Sequence, residues 1–425
     1  VSPQSKPAVQ RLPIGALVSL SLASFAVITS ELFPAGLINV MKNDLQVSES
    51  AVGYLMSVYA FTVVITCIPL TIVTKNVERT KLLRLVVLGF AIGCLGTALV
   101  PNYSSVLVMR MVTALAHGMF WSLLSAYPAY LVPPRLVPRA VTFTSVGGSA
   151  AFILGVPFST WLGQQLGWRG AMISLSVFMI VVWAVMLKLL PAVGIGSDHH
   201  DTSEENAAQL TEGGAATVDD LAPQGKTKRR LAPVSKGAAI GLCVTVALYV
   251  TGHYTAYTYI ALIITRQLGF SPSLLSLMLL ISGILGFFGS LTSGRLYEKY
   301  TVRALLAALF LASSCLLGLF FLGQGAKWAG LAVFLLWSCV AAFVPPFFVM
   351  RLLSVTPAQI RDTFSAIYNA SFNAGIGSGS ALGGFLLTRL ALPSVIGIAG
   401  VIVMSAFVVS FFMTRITSSQ TSAAR

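Results

Sequence analysis

Glu31 is the one acidic residue inside a long apolar stretch of this chain, in Thr29-Ser30-Glu31-Leu32-Phe33-Pro34. Of the 13 Asp and Glu residues, seven are packed into one polar stretch (Asp198, Asp201, Glu204, Glu205, Glu212, Asp219, Asp220). Five more fall in short breaks between apolar runs (Asp44, Glu49, Glu78, Glu298, Asp362). An acid at bilayer depth costs roughly 2.5–3.5 kcal/mol on insertion scales, so its default reading is functional. Arg110 is the second charge at such depth, in Arg110-Met-Val-Thr113-Ala114-Leu-Ala-His117-Gly118-Met-Phe120-Trp121. Arg110, Ala114, His117 and Trp121 recur at i, i+4, i+7 and i+11, which puts them on one helical face. Taking a carboxyl out of water disfavours its charge and a nearby guanidinium favours it, so two conformations can hold its proton with different affinities. That is the chemistry of proton coupling, with Arg110 paired to Glu31 directly or through water. A static ion pair that only locks two helices is the structural alternative. A charge crossing the membrane potential is worth about 2.3 kcal/mol per 100 mV, so an inward-moving proton could drive export.

A second cluster has recognition rather than proton chemistry. Tyr249, His253 and Tyr257 recur at i, i+4 and i+8, and Tyr254 meets Tyr257 at i, i+3, so all four share one broad face. Ring faces and hydroxyls together suit a ligand with both apolar and hydroxylated surfaces. The cluster begins near mid-span, where an interfacial aromatic belt would sit at a helix end. Asn369 and Asn373 add uncharged donors and acceptors at i, i+4 beside Gly375 and Gly377, for ligand contact or an interhelical hydrogen bond. His117 and His253 read as cavity contacts or as hydrogen-bonded core histidines.

The elements that must position these residues are membrane helices. The chain is 56% hydrophobic and 9% charged, where soluble domains carry about 25% charged residues. With roughly 20 apolar residues needed per crossing, twelve spans are predicted: 13–41, 51–73, 82–100, 105–132, 140–163, 169–190, 237–264, 272–294, 303–322, 328–353, 363–389 and 394–416. The runs are continuous rather than alternating, which excludes a barrel of strands. The formal charge of +14 follows the spans: 21 Lys and Arg fall on one side, five on the other and Arg110 within a span. This bias puts both termini in the cytoplasm and reads as topology, not as a nucleic-acid footprint.

Spans one to six (1–193) and seven to twelve (237–425) form two halves around a polar stretch at 194–236, whose composition cannot bury a core and predicts a flexible cytoplasmic linker. Short inner loops of mixed charge recur after the second and eighth spans, and spans five (Gly147, Gly148, Gly155, Pro157, Gly163) and eleven (Gly375, Gly377, Gly379, Gly383, Gly384) are both glycine-rich. These glycines suit close packing at a moving seam, and Gly155-Val156-Pro157 suits a kink. An all-α fold of two pseudo-symmetric six-helix bundles is the layout of an alternating-access transporter whose site lies between the halves, flanked by the first and fourth helices.

No enzyme signature is present: no Ser/His/Asp arrangement, Walker loop, metal cluster or nucleotide fold, and Gly375-x-Gly377-x-Gly379 lies in an apolar helix rather than after a strand. No cofactor beyond a proton gradient is implied. The five cysteines all fall in spans, at no metal-ligand spacing, and read as small buried hydrophobes. The first span is too long for a signal peptide.

Several segments resemble the major facilitator superfamily, and within it the drug and sugar proton antiporters and the bacterial sugar efflux transporters (arabinose and isopropyl-thiogalactoside exporters). They are Ser30-Glu31-Leu32-Phe33-Pro34-Ala35-Gly36-Leu37, Val77-Glu78-Arg79-Thr80-Lys81-Leu82-Leu83, Ala116-His117-Gly118-Met119-Phe120-Trp121-Ser122, Gly155-Val156-Pro157, Gly167-Trp168-Arg169 and Gly252-His253-Tyr254-Thr255-Ala256-Tyr257-Thr258-Tyr259-Ile260. The resemblance implies Glu31 as the proton-coupling acid with Arg110 beside it. It implies a substrate cavity lined by His117, Trp121, His253, Tyr254 and Tyr257, to which the residue patterns add Phe120, Tyr249, Asn369 and Asn373 as candidate contacts. It also implies a monomer in the bacterial inner membrane. The chain departs from the superfamily pattern at Lys75 and Glu298, which replace its inner-loop Asp, and at Thr71, which replaces a glycine.

Export of a small hydroxylated solute, such as a sugar, in exchange for protons is the leading expectation. Multidrug or chloramphenicol-type efflux is the alternative, followed by a non-transporting membrane receptor. A lone carboxyl serves uptake as well, so it leaves the direction open.

Overall fold

A computed structural model of the chain describes residues 12–74, 76–133, 136–191, 236–322, 324–356 and 361–423. The predicted 194–236 linker lies outside the described residues except for Lys236, and so does Lys75. Within a bilayer each backbone N–H and C=O must find its partner inside its own segment, and the predicted spans are helical accordingly. The first six helices are α1 (Ile14–Leu45), α2 (Glu49–Val73), α3 (Arg79–Leu99), α4 (Tyr103–Leu131), α5 (137–166) and α6 (168–189). The last six are α7 (Lys236–Tyr257), α8 (Leu275–Tyr300), α9 (Val302–Phe321), α10 (Lys327–Val355), α11 (Arg361–Leu387) and α12 (Leu392–Ala423). The expected twelve-helix, all-α fold is the one observed.

The boundary between α5 and α6 rests on one residue. Helical winding runs through it, but Gly167 has φ 72° and ψ 160° and turns the chain back. A side chain there would be strained, and glycine is not. Trp168 Nε1 then donates to Asp44 at the end of α1 (2.8 Å), and Arg169 forms an ion pair with the same carboxylate. The Gly167-Trp168-Arg169 run therefore turns one helix and ties the next to α1.

The kink expected at Gly155-Val156-Pro157 takes the form of a π turn over Ala151–Gly155. Pro157 has no N–H to offer the preceding turn, and wider winding is one way a helix absorbs that loss. α7 also ends irregularly, in a break at Thr258 and Tyr259, a short turn at Ile260–Leu262 and a π turn at Ile263–Gln267.

Within the first half α1 packs on α5 and α6, α2 on α4, and α3 on both α4 and α6; in the second, α7 packs on α11 and α12, α9 on α10 and α12, and α8 on α10. The halves meet along α2 with α11 and along α5 with α8. The glycines of α11 divide their work in a way their count did not predict. A methyl group on Gly375, Gly379 or Gly383 would strike Val250, the Thr251 carbonyl or the Thr255 carbonyl of α7, inside one half. Gly377 instead faces Phe61 of α2, across the halves. Most of the stripe thus draws two helices of the same half together, as small residues do where lipid offers no hydrophobic drive.

Ile65, Ile68 and Ile72 continue the α2 face that carries Phe61 as an exposed apolar stripe. Among the described residues, three polar links join the halves at the end of the bundle where α1 finishes. Glu49 forms an ion pair with Arg266, Gln164 Nε2 donates to the Pro272 carbonyl (2.7 Å), and Ser276 Oγ donates to Gln164 Oε1 (3.1 Å).

Candidate functional site

α1 cannot complete its hydrogen bonds around Pro34. Proline offers no N–H, so the carbonyl of Ser30, four residues earlier, loses its helical partner, and Leu37 (φ −117°, ψ 17°) leaves helical geometry just beyond. Arg110 of α4 answers this defect. Its Nη1 donates to the Ser30 carbonyl (2.7 Å) and its Nη2 to the Glu31 carbonyl (3.0 Å). The guanidinium lies over the Tyr59 ring at 4.4 Å, and the residue is 1% exposed. A buried charge is tolerated when hydrogen-bonded and laid on a π face.

This corrects one expectation: Arg110 makes no direct ion pair with the Glu31 carboxylate, because its donors are aimed at the α1 backbone. The carboxylate turns instead toward His117, with Oε2 4.0 Å from Nε2. On the far side of the imidazole, Nδ1 lies 2.9 Å from Tyr59 Oη. With the Nε2–H tautomer, Tyr59 donates to Nδ1 and His117 presents its proton to Glu31. Arg110, Tyr59, His117 and Glu31 thus close a ring of groups drawn from α1, α2 and α4. Tyr59 and His117 are buried, while the Glu31 side chain keeps 13% of its surface open. Glu31 is the member of the ring that water or solute can reach.

Tyr59 was not among the predicted residues. Its signal was depth: it lies ten residues into α2, close to the levels of Arg110 and His117 in α4, and it is a phenol in a mostly aliphatic run. Trp121 follows on the α4 face, partly exposed, with its ring 6.2 Å from that of His117. Phe120 does not join them. It is fully buried behind His117, edge-on to Phe90 (6.4 Å) and to Trp121 (5.6 Å). The i+10 position from Arg110 turns it off the shared face.

In the second half the three predicted tyrosines converge on the His253 ring. His253 stacks with Tyr249 (5.8 Å, 19°) and Tyr257 (5.4 Å, 21°) and meets Tyr254 edge-on (5.4 Å, 78°). Trp337 of α10, absent from the prediction, closes the cluster 5.1 Å from His253. His253 and Tyr257 are partly exposed, whereas Tyr249, Tyr254 and Trp337 are buried. α1, which carries Glu31, also contacts the Ile260–Leu262 turn that follows α7, across the halves. Asn369 is exposed and Asn373 partly so, and Asn373 Nδ2 donates to the Asn369 carbonyl of its own helix (3.1 Å). The structure does not join this pair to the ring cluster. A cavity of about 420 Å³ lies elsewhere, between α8, α9 and α10 near Leu296, Arg303 and Phe347, and contains none of these residues.

A twelve-helix bundle whose polar and aromatic side chains turn inward, where its halves meet, is the architecture of a membrane transporter. The Major Facilitator Superfamily model matches residues 20–369 and 242–425, and the chain belongs to that family. It is a multi-pass membrane transporter and not an enzyme. The chain is 29% identical over 388 residues to a "Probable sugar efflux transporter" of Helicobacter pylori (strain P12), covering 91% of this chain and 92% of that one. It is 26% identical over 408 residues to a "Probable sugar efflux transporter" of Mannheimia succiniciproducens, covering 95% of each. Among solved structures it is similar to a bacterial homologue of the human lysosomal transporter Spinster in an inward-facing, unoccupied conformation (TM-score 0.71, 15% identity, 98% of each chain). It is also similar to the peptide transporter POT in complex with sulfate (TM-score 0.70, 15% identity, 99% of this chain and 97% of that one). These two likenesses concern the fold.

Proposed function

We propose that this protein exports small sugars or sugar-like solutes in exchange for protons, by alternating access, from the bacterial cytoplasmic membrane. The carrying observation is Glu31: the one acid in the spans keeps part of its surface open beside the Tyr59–His117 pair, on a helix that also meets the other half at Ile260–Leu262. A carboxyl so placed can exchange a proton with whichever side the cleft faces, and the surrounding groups change as the halves move. The curated relatives, which cover more than nine-tenths of the chain, support a sugar as the solute. So does the second cluster, whose tyrosine, histidine and tryptophan side chains offer hydrogen-bonding groups beside flat rings. The distribution of Lys and Arg favours cytoplasmic termini, and with that orientation the linked end is outer and the conformation inward-open.

The test uses proteoliposomes under an imposed pH gradient, supplied with arabinose, a lactose analogue or chloramphenicol. Sugar movement against the proton gradient is expected. Glu31→Gln should abolish gradient-driven flux and leave solute counterflow and binding in place. Gradient-driven flux at wild-type rate in that variant would overturn the coupling role, and transport of chloramphenicol alone would replace a sugar substrate by a drug.

A further inference from the structure

Two polar atoms in the second cluster are buried without a hydrogen-bond partner: His253 Nδ1 on α7 and Trp337 Nε1 on α10. Their rings are 5.1 Å apart, so the orphans belong to one site. Trp337 is 1% exposed, and its indole N–H is donor-only. A neighbouring polar group is already engaged: Tyr249 Oη donates to the Ala341 carbonyl (3.3 Å), one turn further along α10. A buried donor left unpaired costs about 1–3 kcal/mol, so such groups persist where something else completes them.

We infer that His253 Nδ1 and Trp337 Nε1 form a two-point site for a single hydroxyl group of the transported solute. A hydroxyl both donates and accepts, so one oxygen accepts from the Trp337 N–H and donates to unprotonated His253 Nδ1. With the His253 proton on Nε2, a carboxylate would meet the indole donor but find no second one, and a methyl group would leave both atoms unmet. Tyr257, stacked on His253 and partly exposed, supplies a flat apolar face for the ring carbons of a sugar, and the exposed edges of His253 and Tyr257 mark the side from which it enters. The assignment rests on the transport reading above and narrows it: Trp337 is a specificity residue, and what it reads is a hydroxyl. A site built to bond a hydroxyl rejects the analogue lacking it far more strongly than an apolar pocket rejects an added methylene.

Arabinose and its set of monodeoxy analogues provide the probe, in equilibrium competition binding to the purified full-length protein, beside arabinose uptake in proteoliposomes. At least one deoxy analogue should bind wild-type protein about tenfold more weakly than arabinose. Trp337→Phe keeps the ring and removes the N–H, and should bind that analogue and arabinose alike. His253→Phe should also erase the penalty, whereas His253→Asn, whose amide occupies the Nδ1 position, should keep most of it. If Trp337→Phe does not fold, the two His253 variants decide the matter. A penalty undiminished in the folded variants, or none with any analogue in the wild-type protein, would overturn the assignment while leaving transport intact. No uptake of arabinose or of the lactose analogue by the wild-type protein would overturn the sugar reading and this assignment with it.

Discussion

Arg110 holds the backbone of α1 where Pro34 has broken it, which gives its substitution a signature that a simple ion pair would lack. Arg110→Ala strands two buried carbonyls, each worth about 1–3 kcal/mol, so a clear loss of thermal stability in detergent is expected. In a Pro34→Ala background, residue 34 regains an N–H for the Ser30 carbonyl, and the cost of Arg110→Ala should fall by about 1 kcal/mol or more. Strict additivity of the two changes in a melting series would show that the guanidinium does not serve the kink. Tyr59→Phe keeps the ring beneath Arg110 and removes only the hydroxyl on His117. It should slow gradient-driven flux about 3–10-fold, in line with one hydrogen bond, and leave the melting temperature within a few degrees of wild type. At this scale the charges were readable in the sequence, because an ionised group in an apolar run has no bland neighbours to hide among. Partnership was not. Depth matching brought Arg110 and Glu31 to similar levels, but whether the donors met the carboxylate or the carbonyl depended on Pro34, whose freed acceptor competes for the same guanidinium.

The helices were readable almost to their ends, since continuous apolar composition and a backbone that must satisfy itself leave one solution. Irregularities within them were read less well. Gly155-Val156-Pro157 suggested a bend and produced a π turn, and the glycines of α11 suggested a seam between halves yet mostly contact α7. Spacing separates the two roles in retrospect: Gly375, Gly379 and Gly383 recur every four residues and share one face, from which Gly377 is rotated. A pair of substitutions, one in this helix and one in α8, tests the assignment. Gly379→Val would press on the Thr251 carbonyl and should cost about 1–3 kcal/mol or prevent folding, while Gly294→Ala in α8, with open space around it, should be neutral in the same thermal assay. Equal tolerance at both positions would count against the close α7–α11 contact. Trp337 shows the limit of reading helices one at a time, because its place beside His253 depends on how α10 lies against α7, which no pattern within either helix encodes.

Across the whole molecule, the twelve spans and the repeat between halves could be read from the sequence, while the conformation could not. Nothing in composition states which end is closed; that follows from Glu49, Arg266, Gln164 and Ser276 meeting at one end of the bundle. Arg266→Gln should loosen that end. Spin labels at exposed Ser48 and Ser273 should report a larger long-distance population in the variant, by a few-fold, since an exposed ion pair is worth about 0–1 kcal/mol. An unchanged distance distribution would show that the other links suffice. Glu49 also accepts from Lys42 of its own half at 2.6 Å. When the halves part, the carboxylate therefore keeps a counter-ion and Arg266, already half exposed, returns to water, so the clasp can release and re-form in every cycle without abandoning a bare charge at the membrane's edge.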